Sequence, residues 1–465
     1  MLEHSITELA ACLRDGRLSC QALYEELIDR ERRYGALLNA YKTWDEGLIR
    51  RQAEAAAAVF ESGGDLGVLQ GLPVSVKDLF GVRGYPIFAG SPRRLPASWE
   101  REGPVVRRLK HGLPVISGKT HTVEFAVGGL GTNAHYGAPR NPWDARAHRV
   151  SGGSSSGAGV SLLEGTAVLA LGSDTSGSVR MPASMTGTVG FMPSLGRWST
   201  EGIVPVSETL DAPGLLARTV ADLVQGFTAI DIASDESGWR AEGSGLSGVT
   251  PGLVETPFWQ DCAPGIAEGA KRALDDLVQH GARVVACAIP EARDAFELFR
   301  IGHLSAPEAC TNLKTHFADW IDTIDPNVWS RLRGYGEAMP AAEYLARRRR
   351  IFAWMDSVNE RLRTVDAIVT PTVAITPPTL AQIATPDDYR TLNMAASRNA
   401  AILALFDLCA ISIPVALDAE GMPVGLQIAC RRGEDQRLLA LALACENVLG
   451  TARQRLGRPP LCVDG

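Results

Sequence analysis

The sequence lacks most of the short motifs that would announce a chemistry. Its nine cysteines stand at 12, 20, 262, 287, 310, 409, 430, 445 and 462. No two of them form C-x-x-C, and an odd count in so long a chain excludes a disulfide scaffold. They are expected to be reduced, mostly core thiols of a cytoplasmic protein. The eight histidines include no H-E-x-x-H and no metal-ligand spacing, so no metal is expected. His121 and His135 flank a glycine-rich stretch, and a structural role is expected for both. The phosphate-loop pattern G-x-x-x-x-G-K-[ST] and the G-x-S-x-G elbow are both absent. Positive charge is in deficit as well: 46 Lys and Arg face 53 Asp and Glu, for a net charge of −7. That balance disfavours nucleic acid, whose phosphates need a basic face.

Membrane signals are missing too. The first residues, Met1 to Gly16, show no basic stretch followed by an apolar one, so no secretory signal is expected. Residues 400–417 are long enough to raise the question of a span. Asp407 near the centre costs about 2.5–3.5 kcal/mol on insertion scales, and Pro414 interrupts the run. A buried helix end followed by a core strand is the expectation.

What is present is an ordinary globular composition, 45% apolar and 21% charged over 465 residues. It excludes collagenous, disordered and coiled-coil chains. Division by about 150 residues per domain suggests some three domains. Ser5-Ile-Thr-Glu8 predicts a capped helix ending at Gly16, Ser19 starts a second over 20–33, and Thr43-Trp-Asp-Glu46 predicts a third running to Phe60. Beyond Leu72, apolar runs at 72–77, 113–117 and 166–172 alternate with helical segments at 104–111 and 155–163. That alternation predicts an α/β sheet. Helices are predicted at 266–280 and 341–363, the second carrying Arg347–Arg350 on a solvated face, and strands at 366–370, 411–417 and 423–429.

Glycine supplies 47 residues, fifteen of them within 128–202. Two glycine–serine segments stand out there, Ser151-Gly-Gly-Ser-Ser-Ser-Gly157 and Gly172-Ser-Asp-Thr-Ser-Gly-Ser178. A flexible loop is the plain reading of each. The chemical reading is that glycines let backbone N–H groups converge on an anion while hydroxyls approach it. Acyl transfer needs such donors together with a nucleophile and a proton acceptor. With no histidine suited to the task, the acceptor is sought in a lysine held neutral by burial. Gly71-Leu-Pro-Val-Ser-Val-Lys77-Asp78 sets Lys77 at the end of an apolar strand.

Together these three segments closely resemble the amidase signature family of serine hydrolases, whose hallmark is a Ser–cis-Ser–Lys triad. The resemblance also takes in Asn141-Pro-Trp143, the run from Gly172 to Pro182 and Gly421-Met-Pro-Val-Gly-Leu-Gln427, and it spans most of the chain. It implies an α/β fold in a single large domain, with a mixed central β-sheet covered by helices on both faces. Within it, 1–65 would form N-terminal helices, 66–245 the catalytic core, 246–365 a variable helical region and 366–465 a return to the core sheet. By matched position, Ser178 is implied as nucleophile, Ser154 as the cis serine and Lys77 as the catalytic lysine. The backbone N–H groups of Thr175, Ser176, Gly177 and Ser178 are implied as oxyanion donors. Gly152, Gly153, Asp174 and Arg180 would support the loops, with Ser155 and Ser156 as loop or helix-capping residues. By analogy, the 125–137 stretch and residues 246–365 are expected to border the acyl pocket, with Phe125, Leu130 and Tyr136 either lining it or simply packing.

The implied activity is hydrolysis of a carbon–nitrogen acyl bond in an amide, a carbamate or a urea-like molecule. A glutamine-hydrolysing A subunit of a tRNA-dependent amidotransferase is the alternative, and a non-catalytic small-molecule binding protein is the alternative of another class. No cofactor is implied. The implied partner is a small molecule, with no nucleic acid and no membrane, and a homodimer is left open. Two positions depart from the family pattern. Ser176 stands where a glycine is commonest, and Phe406-Asp-Leu-Cys-Ala410 replaces N-x-x-G-x-P-A. The second departure is more similar to the allophanate-hydrolase and small-amide branches than to the tRNA amidotransferase branch.

Overall fold

Capping chemistry sets the first helices. In the computed structural model, which describes residues 4–232 and 245–462, Ser5 and Glu8 form a reciprocal capping box ahead of α1 (Ile6–Arg14). Ser19 caps α2 (Cys20–Leu38), which runs five residues past the predicted end and stops at Asn39 in the left-handed conformation. The predicted box at Thr43 is not a cap. Residues Tyr41–Trp44 form a short strand, β1, paired antiparallel with a neighbour at Thr120 and Gly118. Asp45 caps α3 (Glu46–Glu61) instead. The ladder bonds available to an extended chain outweighed the cap that the local pattern imitates.

The predicted apolar runs form β2 (Pro73–Lys77), β3 (Val115–Thr120) and β4 (Leu169–Asp174), with the predicted helix α4 (Pro104–His111) between the first two. The chain continues through β5 (Val189–Met192), β6 (Ala212–Ala217), β7 (Pro251–Leu253), β8 (Val285–Ala286), β9 (Ala367–Pro371), β10 (Cys409–Leu417) and β11 (Pro423–Cys430). All eleven share one sheet in the order β1-β3-β2-β4-β6-β5-β10-β11-β9-β7-β8. It is mixed: β3-β2-β4 run parallel, and the β4-β6-β5-β10-β11-β9 pairings are antiparallel. Every segment of the expected division contributes to it. The 1–65 and 246–365 stretches therefore hold edge strands, β1 and the β7–β8 pair, besides their helices. Residues 233–244, ahead of the expected boundary at 245/246, lie outside the described residues.

Side-chain alternation explains why helices cover both faces. Leu169 and Leu171 of β4, with Leu215 and Ala217 of β6, join the large core that includes Leu223 and Phe227 of the helix Val220–Ile230. The intervening Ala170 and Leu216 pack with Ala158 and Leu162 of α5 (Ala158–Glu164) and with Ala183 of α6 (Arg180–Thr186). The 400–417 stretch is the end of the helix Pro386–Leu405, a turn through Asp407, and β10. Among the described residues no helix is long and apolar enough to cross a membrane.

Candidate active site

Two neighbouring parallel strands, β2 and β4, end side by side. Val76 pairs with Leu171, so Lys77, the last residue of β2, lies beside the carboxyl end of β4, where Ser173 still pairs with Pro213 of β6. Open α/β sheets gather their ligands at this edge. Lys77 is completely buried. Its Nζ donates to Ser154 Oγ at 2.7 Å, to Ser173 Oγ at 3.0 Å and to the Ser173 carbonyl at 3.3 Å. Burial pushes the amine down to about 7 against the opposing pull of Asp174 and Asp211. Desolvation acts on the charged form, so the neutral amine is populated near neutral pH.

Ser154 follows a cis peptide bond from Gly153. Its loop is locked between two others. The Ser154 carbonyl accepts from Val123 N–H at 3.2 Å, Gly153 N–H donates to the Gly129 carbonyl at 2.8 Å, and Ser155 N–H donates to the Ser178 carbonyl at 3.2 Å. Gly131 makes this approach feasible: at φ +87° a Cβ there would lie 2.4 Å from the Gly152 carbonyl oxygen. Ser155 and Ser156 are buried loop residues ahead of the Gly157 cap, so α5 begins at Ala158 rather than at 155.

Beyond β4 the chain turns through Thr175–Val179 into α6. Asp174 holds that turn. Its carboxylate accepts from the Gly177 and Val179 N–H groups and from Arg180 Nε and Nη2, each of the last two at 3.0 Å. Burial raises this carboxyl, and the Arg180 pairing with the N–H bonds outweighs it, leaving the group below its usual value. Arg180 also donates to Gln427 Oε1 at 2.7 Å, which gives the closing Gly421–Gln427 motif its place. Because Gly177 N–H is spent on Asp174, it is not free to serve as the oxyanion donor expected of it. The backbone N–H groups of Thr175, Ser176 and Ser178 make no hydrogen bond among the described residues.

Thr175, Ser176 and Ser178 line a cavity of about 130 Å³. The other wall includes His303 and Arg331, from the 246–365 stretch expected to border the pocket though the sequence marks neither, and Asn393, which lies outside that stretch. His303 is buried, with φ +25° and Nε2 3.0 Å from Ser305 Oγ. Burial, helped by Arg347, drives it down to about 3 and keeps the ring neutral. Asp211 is a further buried group close by. It accepts from the Thr175 hydroxyl and from the Val206 and Ser207 N–H groups, and burial raises it to about 6.

Phe125, Leu130 and Tyr136 do not line this cavity. Phe125 stacks on Phe317, Leu130 is sealed in a small core with Met181 and Met185, and the Tyr136 hydroxyl donates to the Ser91 carbonyl. Their neighbours Ala126–Gly129 reach the cavity in their place. His121 and His135 bond Asn39 and Glu124 and stay outside the cavity.

Comparisons with known proteins find similarity over nearly the whole chain. The family model described as Amidase matches residues 22–439. The chain is 46% identical to the 2-amino-5-chloromuconic acid deaminase of Comamonas testosteroni, over 98% of each. It is 30% identical to the mandelamide hydrolase of Pseudomonas putida, over 96% of this chain and 92% of that one. It is also 30% identical to the glutamyl-tRNA(Gln) amidotransferase A subunit of Koribacter versatilis, over 89% and 91%. A solved amidase crystal structure, 30% identical, superposes with a TM-score of 0.82 over 96% of this chain and all of the other.

Proposed function

Since the chain belongs to the amidase family, we propose that its carbon–nitrogen hydrolysis runs through Ser178 as nucleophile, with Ser154 and Lys77 as the proton relay. The observation that carries this reading is the contact of a buried, desolvated Lys77 Nζ with Ser154 Oγ, 2.7 Å away. In its neutral state the amine keeps its hydrogens for Ser173 and offers its lone pair to the Ser154 hydroxyl. Ser154 passes its proton to Lys77 and takes the proton of Ser178, whose oxygen then bonds to the carbonyl carbon. The N–H groups of Thr175, Ser176 and Ser178 receive the oxyanion, a service worth about 2.7–4 kcal/mol per donor in comparable sites. Returning along the same relay, the proton goes to the leaving nitrogen, the C–N bond breaks, and Ser178 carries an acyl ester. Water, deprotonated by the same chain of groups, releases the acid and restores the serine.

The substrate is proposed to be a small amide, carbamate or urea-like molecule, whose scissile nitrogen sits on the carbonyl carbon that the serine attacks. The 46% identity to a 2-amino-5-chloromuconic acid deaminase supports ammonia as the leaving group, so primary amides are the first compounds to assay. An amidotransferase role is the less favoured reading, resting on relatives at 30%. Ammonia release by the purified chain alone separates the two, because one member of such a complex depends on its partners. For the substrate turned over, Ser178→Ala is expected to lower kcat by about five to six orders of magnitude, the range seen when a serine nucleophile is removed. It is also expected to abolish labelling by a fluorophosphonate. Retention of either property by the variant would sink the nucleophile assignment.

A further inference from the structure

The charge inside the cavity is one-sided. Among the described lining residues Arg331 carries the only formal charge, and no Asp or Glu faces it there. Arg331 sits on the last turn of the short helix Pro326–Leu332, and its guanidinium is held without a carboxylate. Nη2 donates to the Val127 carbonyl, Nε donates to the Asn327 carbonyl at 3.1 Å, and the Tyr389 ring lies 5.0 Å from the guanidinium carbon. Nη1 makes no hydrogen bond among the described residues. The nearest acids are engaged elsewhere. Glu124 accepts from Asp325 N–H and bonds His135, and Asp325 caps its own helix at Asn327 N–H.

Two further features fit an occupant of opposite charge. Asn393, which lines the cavity, has its Oδ1 held by Gly129 N–H at 2.7 Å, and its NH2 makes no hydrogen bond among the described residues. Gly128, at φ +150°, leaves space beside the guanidinium: a Cβ there would lie 2.7 Å from the Tyr389 hydroxyl and 3.2 Å from Arg331 Nη2. A fixed planar guanidinium beside an amide NH2 matches the two oxygens of a carboxylate. A half-buried cation that pairs with no carboxylate also favours an anionic guest over a neutral one.

We infer that Arg331 and Asn393 bind a carboxylate on the acyl side of the substrate, away from the scissile bond, so that the substrates are small monoamides of dicarboxylic acids. The inference rests on Ser178 being the nucleophile that opens on the same cavity, and the test separates the two ideas.

Initial rates of ammonia release are measured with the purified full chain on two matched pairs, succinamate against butanamide and glutaramate against pentanamide. The wild type is expected to favour the anionic member of at least one pair. Arg331→Leu should cut kcat/KM for that member by about 10- to 100-fold, the loss expected for a hydrogen-bonded charge pair. Most of that loss should appear in KM, the neutral amide should fall far less, and Arg331→Lys should keep part of the preference. An equal fall for both members, or a preference that survives Arg331→Leu, overturns the carboxylate site. Where an amide is not turned over or a variant does not fold, the wild type decides: succinate should slow fluorophosphonate labelling of Ser178 and butanamide should not. Equal protection by both, or none from succinate, also overturns it. A wild type whose Ser178 takes no label fails the nucleophile reading instead.

Discussion

Lys77 and Lys119 are both fully buried, one on β2 and the other on its neighbour β3, yet they are held in opposite ways. Lys119 donates to the Asp78 carboxylate at 3.1 Å and to the Phe80 carbonyl at 2.7 Å. Lys77 meets only hydroxyls and a carbonyl. A buried lysine beside a carboxylate is a structural cation, whereas one beside hydroxyls is a base in waiting. With its amine pushed down to about 7, Lys77 as the proton acceptor gives a specific pH profile. Below about pH 7 kcat/KM should rise about tenfold per pH unit, and above it the profile should level off. A lysine at its ordinary 10.5 would still be climbing at about pH 9. A flat profile from about pH 6 to 10 with chemistry rate-limiting would remove Lys77 from the relay.

At the scale of elements, the site is three interlocked loops at the carboxyl edge of two parallel strands. Their closeness leaves no room for a side chain at Gly131, where φ is also unfavourable. Gly131→Ala is expected to cost about 1–3 kcal/mol of stability. Turnover should drop beyond what the lost folded fraction explains, because the Gly152–Ser154 backbone must shift. Thermal unfolding and ammonia release on the same preparation check this, and wild-type values in both would show that the loops yield without cost. The residues of these loops were legible because their chemistry is local: glycines and serines in short runs, and a lysine closing an apolar strand. Arg331, His303 and Asn393 were not, since they reach the cavity only when chain far downstream folds back across it, and no periodicity marks that. β6 was hidden for another reason. It opens Ala212-Pro213-Gly214, and proline and glycine read as breakers even in a strand buried at the middle of a sheet.

Across the whole molecule, burial shifts several carboxyls toward the protonated form. Desolvation raises Glu164 to about 8, Glu124 and Glu446 to about 7, and Asp211 to about 6. Each is raised above its unfolded value, so the folded state keeps protons that the unfolded chain releases. The stability tied to Glu164 is fully present below about pH 4.5 and is lost as pH rises through about 8. Lys77 works in the opposite sense between about 7 and its ordinary 10.5. His121 and His303, lowered by burial to about 4 and 3, do the same below about 6.5, but the raised carboxyls outnumber them. The melting temperature is therefore expected to fall between about pH 5 and 8. Glu164→Gln, which keeps an oxygen for the Thr166 hydroxyl, should flatten that slope. An identical slope in the variant would discount Glu164 as its source.

The middle of the sheet also bears on how the chain is made. β5 pairs on one side with β6 and on the other with β10, Met192 lying opposite Ala410. More than 200 residues separate those partners along the chain. While a ribosome is still synthesising the residues between them, the nascent polypeptide presents the backbone of β5 as an open edge, ready to accept any foreign strand. Translation pauses or premature stops within that interval would thus expose the adhesive interior of the protein, and fragments ending there should be recovered in inclusion bodies rather than in the supernatant.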